Sequence, residues 1–144
     1  MSSTFLVAVD GSEGGARAVA CAASRAKAEG AKLVLAHIIQ WSPYSFHTPE
    51  ELAERHKRRE EEIERAQSTV LDPVKQTLDG QGVQAETVVR HGHRAESLID
   101  IAEEMNVAQI FIGRLGESPM KTLLFGSLAA TLVQSSPVPV TVVP

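Results

Sequence analysis

AQIFIGRLGESPMKTLLFGS, residues 108–127, is the stretch on which the reading turns. Its apolar opening, Gln109–Ile112, has the make-up of a short strand covered on both faces. Gly113 and Gly116 follow, then nine residues, then Gly126 with Ser127 behind it. Glycine in a structured segment costs conformational entropy, so three around so short a run answer a steric need. Gly113 suits a sharp turn after the strand, and Gly116 suits close approach of the backbone to a bound group. Gly126–Ser127 offers a bare amide and a hydroxyl donor.

Four further apolar runs flank this one: Phe5–Val9, Lys32–Ile39, Gln84–Arg90 and Pro139–Val143. Helical patterns lie between them. The first, Gly14 to Glu29, is alanine-rich, with Ser12 placed as N-cap and Gly30 as stop. The second, about Pro49 to Leu78, is heavily charged, with a narrow stripe through Leu52, Ile63, Ala66, Val70, Val74 and Leu78. Asp72-Pro73 interrupts it, which predicts a kink, or a break with Asp72 capping a second piece. The third runs from Arg94 to Met105 and the fourth from about Pro119 to Gln134. Strand–helix alternation throughout predicts right-handed βαβ units and a doubly wound parallel α/β sheet. Trp41–Pro49 is loop-like and holds most of the large aromatics, as a binding loop or as a loop packed over the adjacent helix.

Composition narrows the function. The chain has 144 residues, 43% hydrophobic and 22% charged, with a net charge of −4. Those values describe one domain spanning 1–144, with no broad electrostatic footprint for nucleic acid. The N-terminal apolar run is too short for a signal peptide or membrane span, so the expectation is a cytoplasmic protein without membrane insertion. The lone Cys21 excludes an internal disulfide and speaks against a cysteine zinc site. His91-Gly-His93 lacks a third ligand at sensible spacing and reads as a turn. The mixed-sign run His56–Arg65 reads as a solvated helix face.

In open parallel sheets, ligands bind beyond the carboxyl ends of strands, where connections diverge. Unpaired N–H groups at tight turns and helix starts there form an anion cradle. Three glycines at such an end suit phosphates. No Gly-Lys pair exists for a P-loop, and G-x-G-x-x-G is absent. The segment instead fits G-x2-G-x9-G-[ST] completely, through Gly113, Gly116, Gly126 and Ser127.

That pattern resembles the ATP-binding signature of the universal stress protein family. VAVDGSE resembles the family's first strand and turn, and LVLAHII its second strand. VVRHGHRAESLIDIAEE is similar to its third strand, turn and helix, and GSLAATLVQSSPVPVTVV to its terminal helix and strand. The resemblance implies strand order 3-2-1-4-5, with a crevice between strands 1 and 4. It implies ATP binding, with Mg2+ held mostly by phosphate oxygens and water. The implied contact residues are Val9, Asp10, Gly11 and Ser12, then His37 and Ile38, then Ile112, Gly113, Arg114 and Gly116, then Gly126, Ser127 and Leu128. Asp10 would face the ribose and metal–phosphate region, Ile38 the adenine, and the glycines with Ser127 the phosphates.

Family members commonly carry Ser or Thr, then His or Arg, after the first glycine; here stand Arg114 and Leu115. Arg114 either pairs with a phosphate or points to solvent, and Lys121 either adds a charge or is solvated. Asp10 has a second reading, as turn chemistry or a cap of the next helix. His37 also reads as a satisfied rim histidine. No protein metal ligands and no catalytic residues are assigned, because phosphoryl transfer needs a positioned nucleophile beyond a cradle. The expectation is an ATP-binding regulator that signals to a partner protein. A nucleotide-independent interaction module and a slow ATPase or self-phosphorylating protein are the alternatives. DGSEGG is not the Ser-Gly-Gly-x-Asp-Ser loop of an adenylating pyrophosphatase. The apolar last strand carries Pro137 and Pro139, as befits an edge, and predicts a homodimer through residues 138–143.

Overall fold

The computed structural model describes residues 3–40, 48–114 and 126–144. Five parallel strands form one sheet in the order β3-β2-β1-β4-β5. These are β1 Thr4–Ala8, β2 Lys32–Gln40, β3 Ala85–Gly92, β4 Gln109–Gly113 and β5 Val140–Val143. The helices are α1 Glu13–Glu29, α2 Pro49–Arg65, α3 Asp72–Gly80, α4 Arg94–Glu104 and α5 Ser127–Ser135.

Alternation within the strands divides the core into two layers. Phe5, Val7, Leu33, Leu35 and Phe111 face one side, where α1, α3 and the turn before α3 cover them with Ala18, Ala22, Leu78 and Leu71. Leu6, Val34, Ala36, Ile110 and Ile112 face the other, under Leu98, Ile101, Ala129 and Leu132 of α4 and α5. Burial of strands on both faces is why the apolar runs are nearly continuous.

Helix α1 starts where expected. Ser12 Oγ accepts from the Gly15 N–H at 3.0 Å, and Gly30, in the left-handed conformation, donates its N–H to the Ala26 carbonyl. Its buried face is made of glycine, alanine and one valine, so its axis lies close to the sheet. Cys21 is half-buried against that layer.

The region around Pro73 differs from expectation. Asp72 does not cap a new helix; its backbone is helical, and its Oδ1 accepts from Gln67 Nε2 at 2.7 Å. The chain instead widens into a π-helical turn over Ala66–Leu71, with the Asp72 N–H donating to the Gln67 carbonyl. A proline in a helix lacks an N–H and crowds the carbonyl four residues back. The wider turn accommodates that without a break. Gln67 also donates to Thr87 Oγ1 at 2.9 Å, which ties the turn to β3.

The stripe expected along 49–78 buries only its later part. Ala66 and Leu78 are buried, whereas Leu52 and Ile63 are exposed, and α2 has no buried residue. The last helix is described from Ser127 to Ser135; the expected start near Pro119 lies outside the described residues. So does most of the loop expected at Trp41–Pro49.

Candidate functional site

Every helix that follows a strand in such a sheet begins at the same edge. The ends of β1, β2 and β4 and the starts of α4 and α5 enclose a cleft there of about 280 Å³. Its floor is apolar: Ala8, Val9, Ala36, Ile38, Leu98 and Ile112. Its polar wall is Asp10, His37, Gln40, Arg94, Arg114 and Ser127, with backbone from Gly15, Gly113 and Gly126.

The fold thus brings ten expected site residues onto one surface: Val9, Asp10, His37, Ile38, Ile112, Gly113, Arg114, Gly126, Ser127 and Leu128. Gly11 and Ser12 lie beside the cleft and build its rim. Gly11 turns the chain with φ of 83°. Asp10 Oδ1 accepts from the Ser12 N–H at 2.9 Å and from the Ser12 hydroxyl. Ser12 in turn caps α1, so Asp10 braces the cap and presents its carboxylate to the cleft. Gly116, Leu115 and Lys121 lie outside the described residues.

Two glycines have other reasons than those expected. A Cβ on Gly113 would stand 2.8 Å from the carbonyl carbon and oxygen of Gly14. Gly113 therefore serves close contact between β4 and the start of α1 rather than a positive-φ turn. Gly126 does not offer a bare amide, because its N–H donates to the Arg114 carbonyl at 2.8 Å. It is instead the N-cap of α5, without a side chain to close the helix end. Ser127, Leu128 and Ala129 form that first turn and line the cleft, and their N–H groups have no acceptor among the described residues. The cradle is shifted by one residue and made of helix amides.

His37 Nδ1 lies 2.7 Å from the Val9 carbonyl. A carbonyl only accepts, so Nδ1 donates and the neutral ring keeps Nε2 as an acceptor. His37 is thus a satisfied rim residue that also lines the cleft. His91 turns elsewhere, with Nε2 at 3.1 Å from Glu62 Oε2. Among the described residues no three ligating side chains gather as a metal site.

Gly15, Gln40, Arg94 and Leu98 were missed from the sequence. A Cβ on Gly15 would meet Asp10 Oδ1 at 2.5 Å, so its lack of a side chain keeps that carboxylate in place. Gln40 and Arg94 sit at the ends of β2 and at the start of α4, and the carboxyl-end rule applied to strands 2 and 3 would have found them. Arg94 opens α4, where a cation opposes the helix dipole. Neither Arg94 nor Arg114 has a side-chain partner among the described residues. Among the described residues, two guanidinium groups and an open helix start stand in the cleft against one carboxylate, that of Asp10. The balance favours an anion.

A doubly wound parallel sheet with a crevice beyond the carboxyl ends of its strands defines the class of the architecture, one in which ligands bind at the switch point. The sequence model of the universal stress protein family matches residues 1–144, and the chain belongs to that family. It is 29% identical over 150 residues to universal stress protein YxiE of Bacillus subtilis (strain 168), with 99% of each chain covered. The universal stress protein UspA of Lactobacillus plantarum has the same fold, with a TM-score of 0.85 at 22% identity over 99% of this chain and 97% of that one. Two further relatives in fold were solved with nucleotides. One is a universal stress protein in complex with cAMP, with a TM-score of 0.68 at 22% identity over 99% and 97% of the two chains. The other is that of Archaeoglobus fulgidus in complex with dAMP, with a TM-score of 0.65 at 18% identity over 100% and 98%.

Proposed function

We propose that the cleft binds ATP and that the protein is a nucleotide-responsive regulator acting on a partner protein. One observation carries the reading: three amides of α5 and two guanidinium groups, all without partners among the described residues, border an apolar slot in a single cleft. Phosphates take the amides and Arg114. The base takes the slot beside Ile38 and Val9, with Gln40 and Arg94 at its edge. Asp10 faces the ribose and the metal-bearing part of the phosphate chain. Mg2+ arriving with ATP would be held mainly by phosphate oxygens and water, and Asp10 would supply a carboxylate to it from the cleft. Two members of the same family solved with cAMP and dAMP support an adenine nucleotide. The cradle is a binding device, and turnover needs a nucleophile placed in line as well.

The protein is also proposed to be a homodimer through β5. That strand is the sheet's edge, its residues are only partly buried, and Val140, Val142 and Val143 make it apolar. Pairing it with a second copy about a two-fold axis removes the edge. Nucleotide occupancy then shifts which surface the dimer presents to its partner.

Calorimetry on purified protein tests the site. ATP should titrate with micromolar affinity, about −8 kcal/mol. Arg114→Glu should weaken it tenfold or more, about 1.4 kcal/mol. Absence of ATP, ADP and AMP binding, with none co-purifying by mass spectrometry, overturns the reading. Light scattering should give a dimer at micromolar concentration, and a monomer there defeats the β5 assignment.

A further inference from the structure

Arg94 is the cleft residue whose place the fold alone does not explain. It opens α4, where a cation opposes the helix dipole. Glu96, which the dipole does favour in that first turn, lies on another face of the helix. Leu98, by contrast, follows Arg94 at i+4 and so shares its face. Leu98 is fully buried and lines the cleft, and the buried face of α4 continues through Ile101. Arg94 is therefore the core-facing stripe carried one turn outward, to the wall of the cleft. A solvated charge belongs on the opposite face. Among the described residues its side chain has no partner, and Asp10, the carboxylate across the cleft, is engaged with Ser12. The guanidinium has its donors free for a ligand.

Which part of a ligand reaches it rests on the nucleotide reading of the cleft. Phosphates sit on the first turn of α5 with Arg114, and the ribose sits at Asp10, just past β1. Strand β2 lies on the far side of β1 from β4, and α4 packs over β2. The base edge farthest from the ribose, with its substituent at position 6, then meets Arg94 and Gln40. We propose that Arg94 reads this edge and makes the cleft accept 6-oxopurine nucleotides, guanine above all, at least as well as adenine nucleotides.

The chemistry of the fork carries the choice. Arginine has N–H donors in a fixed plane and no acceptor. Guanine sets two acceptors, O6 and N7, side by side, whereas adenine puts an amino donor in place of O6. The fork therefore makes two bonds to guanine, and to adenine one bond with a donor set against it. Gln40 does not decide between them, because its amide turns to present either N–H or carbonyl. The apolar floor of Ala36, Ile38 and Leu98 holds either ring.

Calorimetry on the full chain with ATP, GTP and inosine triphosphate tests this. Inosine keeps O6 and N7 but lacks the 2-amino group of guanine, so it isolates position 6. The parent chain should bind GTP and inosine triphosphate at least as tightly as ATP. Arg94→Ala should weaken both of them about tenfold and ATP by less than about threefold. Arg94→Lys keeps the charge without the fork and should lose most of the same preference. ATP binding in the parent with GTP more than about tenfold weaker overturns the Arg94 assignment and leaves the ATP reading standing. Equal weakening of every nucleotide in Arg94→Ala overturns it too, since that puts Arg94 on the phosphates. Binding of none of the nucleotides overturns both readings.

Discussion

Helices α1 and α2 are both seventeen residues long and have opposite fates. Helix α1 buries seven residues, all glycine, alanine or valine, and lies against β4 so closely that Gly14 touches Gly113. Helix α2 buries none and is held from within. Thr48 Oγ1 accepts from the Glu51 N–H at 3.1 Å while Glu51 accepts from the Thr48 N–H at 3.0 Å, and Pro49 opens the helix. One helix exists because of what it packs against, the other because of its own ends and charge pairs. The difference shows what placement requires: small side chains bring an axis near the sheet, and only an axis that near can set a helix start at the cleft. The second helix, rich in long charged side chains, buries no residue and sets nothing at the cleft.

Removing the platform under α1 should do the most damage. Phe111→Ala takes away a fully buried ring beneath α1 that packs against Phe5 with centroids 5.4 Å apart, and should cost about 3–5 kcal/mol in urea unfolding. Gly113→Ala should cost about 1–3 kcal/mol by the same measurement, because the new methyl meets the Gly14 backbone, which cannot swing away. If that variant unfolds like the parent, α1 is not seated as tightly as the comparison requires.

Thr48→Ala should cost about 1 kcal/mol, and the loss should appear in amide exchange of the first turns of α2 and not in α1. Leu52→Ala should leave monomer stability within about 0.5 kcal/mol. A larger loss would mean that α2 packs on the body after all.

The smallest effect concerns the Arg90–Glu104 pair, which joins β3 to α4 through two hydrogen bonds. The Arg90 side chain holds the Glu104 carboxyl below its ordinary value, and Arg90 is correspondingly raised. A carboxyl lowered on folding adds stability above its unfolded value near 4.5, and that increment fades as pH falls through the lower folded value. Glu104→Gln should therefore lower Tm slightly at pH 7 and lose its effect as the pH falls below about 4.5.

Much of this was legible in the residues. The five apolar runs predict the five strands to within two residues, because strands buried on both faces cannot hide their composition. Ser12 and Gly30 mark the ends of α1 through bonds that reach only three or four residues, and Pro49 marks the start of α2. The glycine spacing led to the right edge of the sheet, and to Gly113 and Gly126 for reasons that proved different. What composition could not show was distance. Gly113 is small because of Gly14, a hundred residues away in the chain, and no local pattern encodes that neighbour. Arg94 escaped notice because a basic residue at a helix start looks like a solvated charge until the cleft wall closes around it. The stripe through Leu52 and Ile63 has the right period for burial, yet α2 stands off the sheet.

Period, caps and the length of apolar runs were therefore the sequence's own: the parallel α/β class, the order of its strands and the starts of α1, α2 and α4. These features arise between residues a few positions apart, where steric and hydrogen-bonding rules act without further context. Which Gly-facing surfaces touch, which amides remain open in the cleft and which apolar strip is left bare were decided by tertiary structure. Those outcomes depend on the separation of packed elements, and that separation is set by all the side chains between them at once.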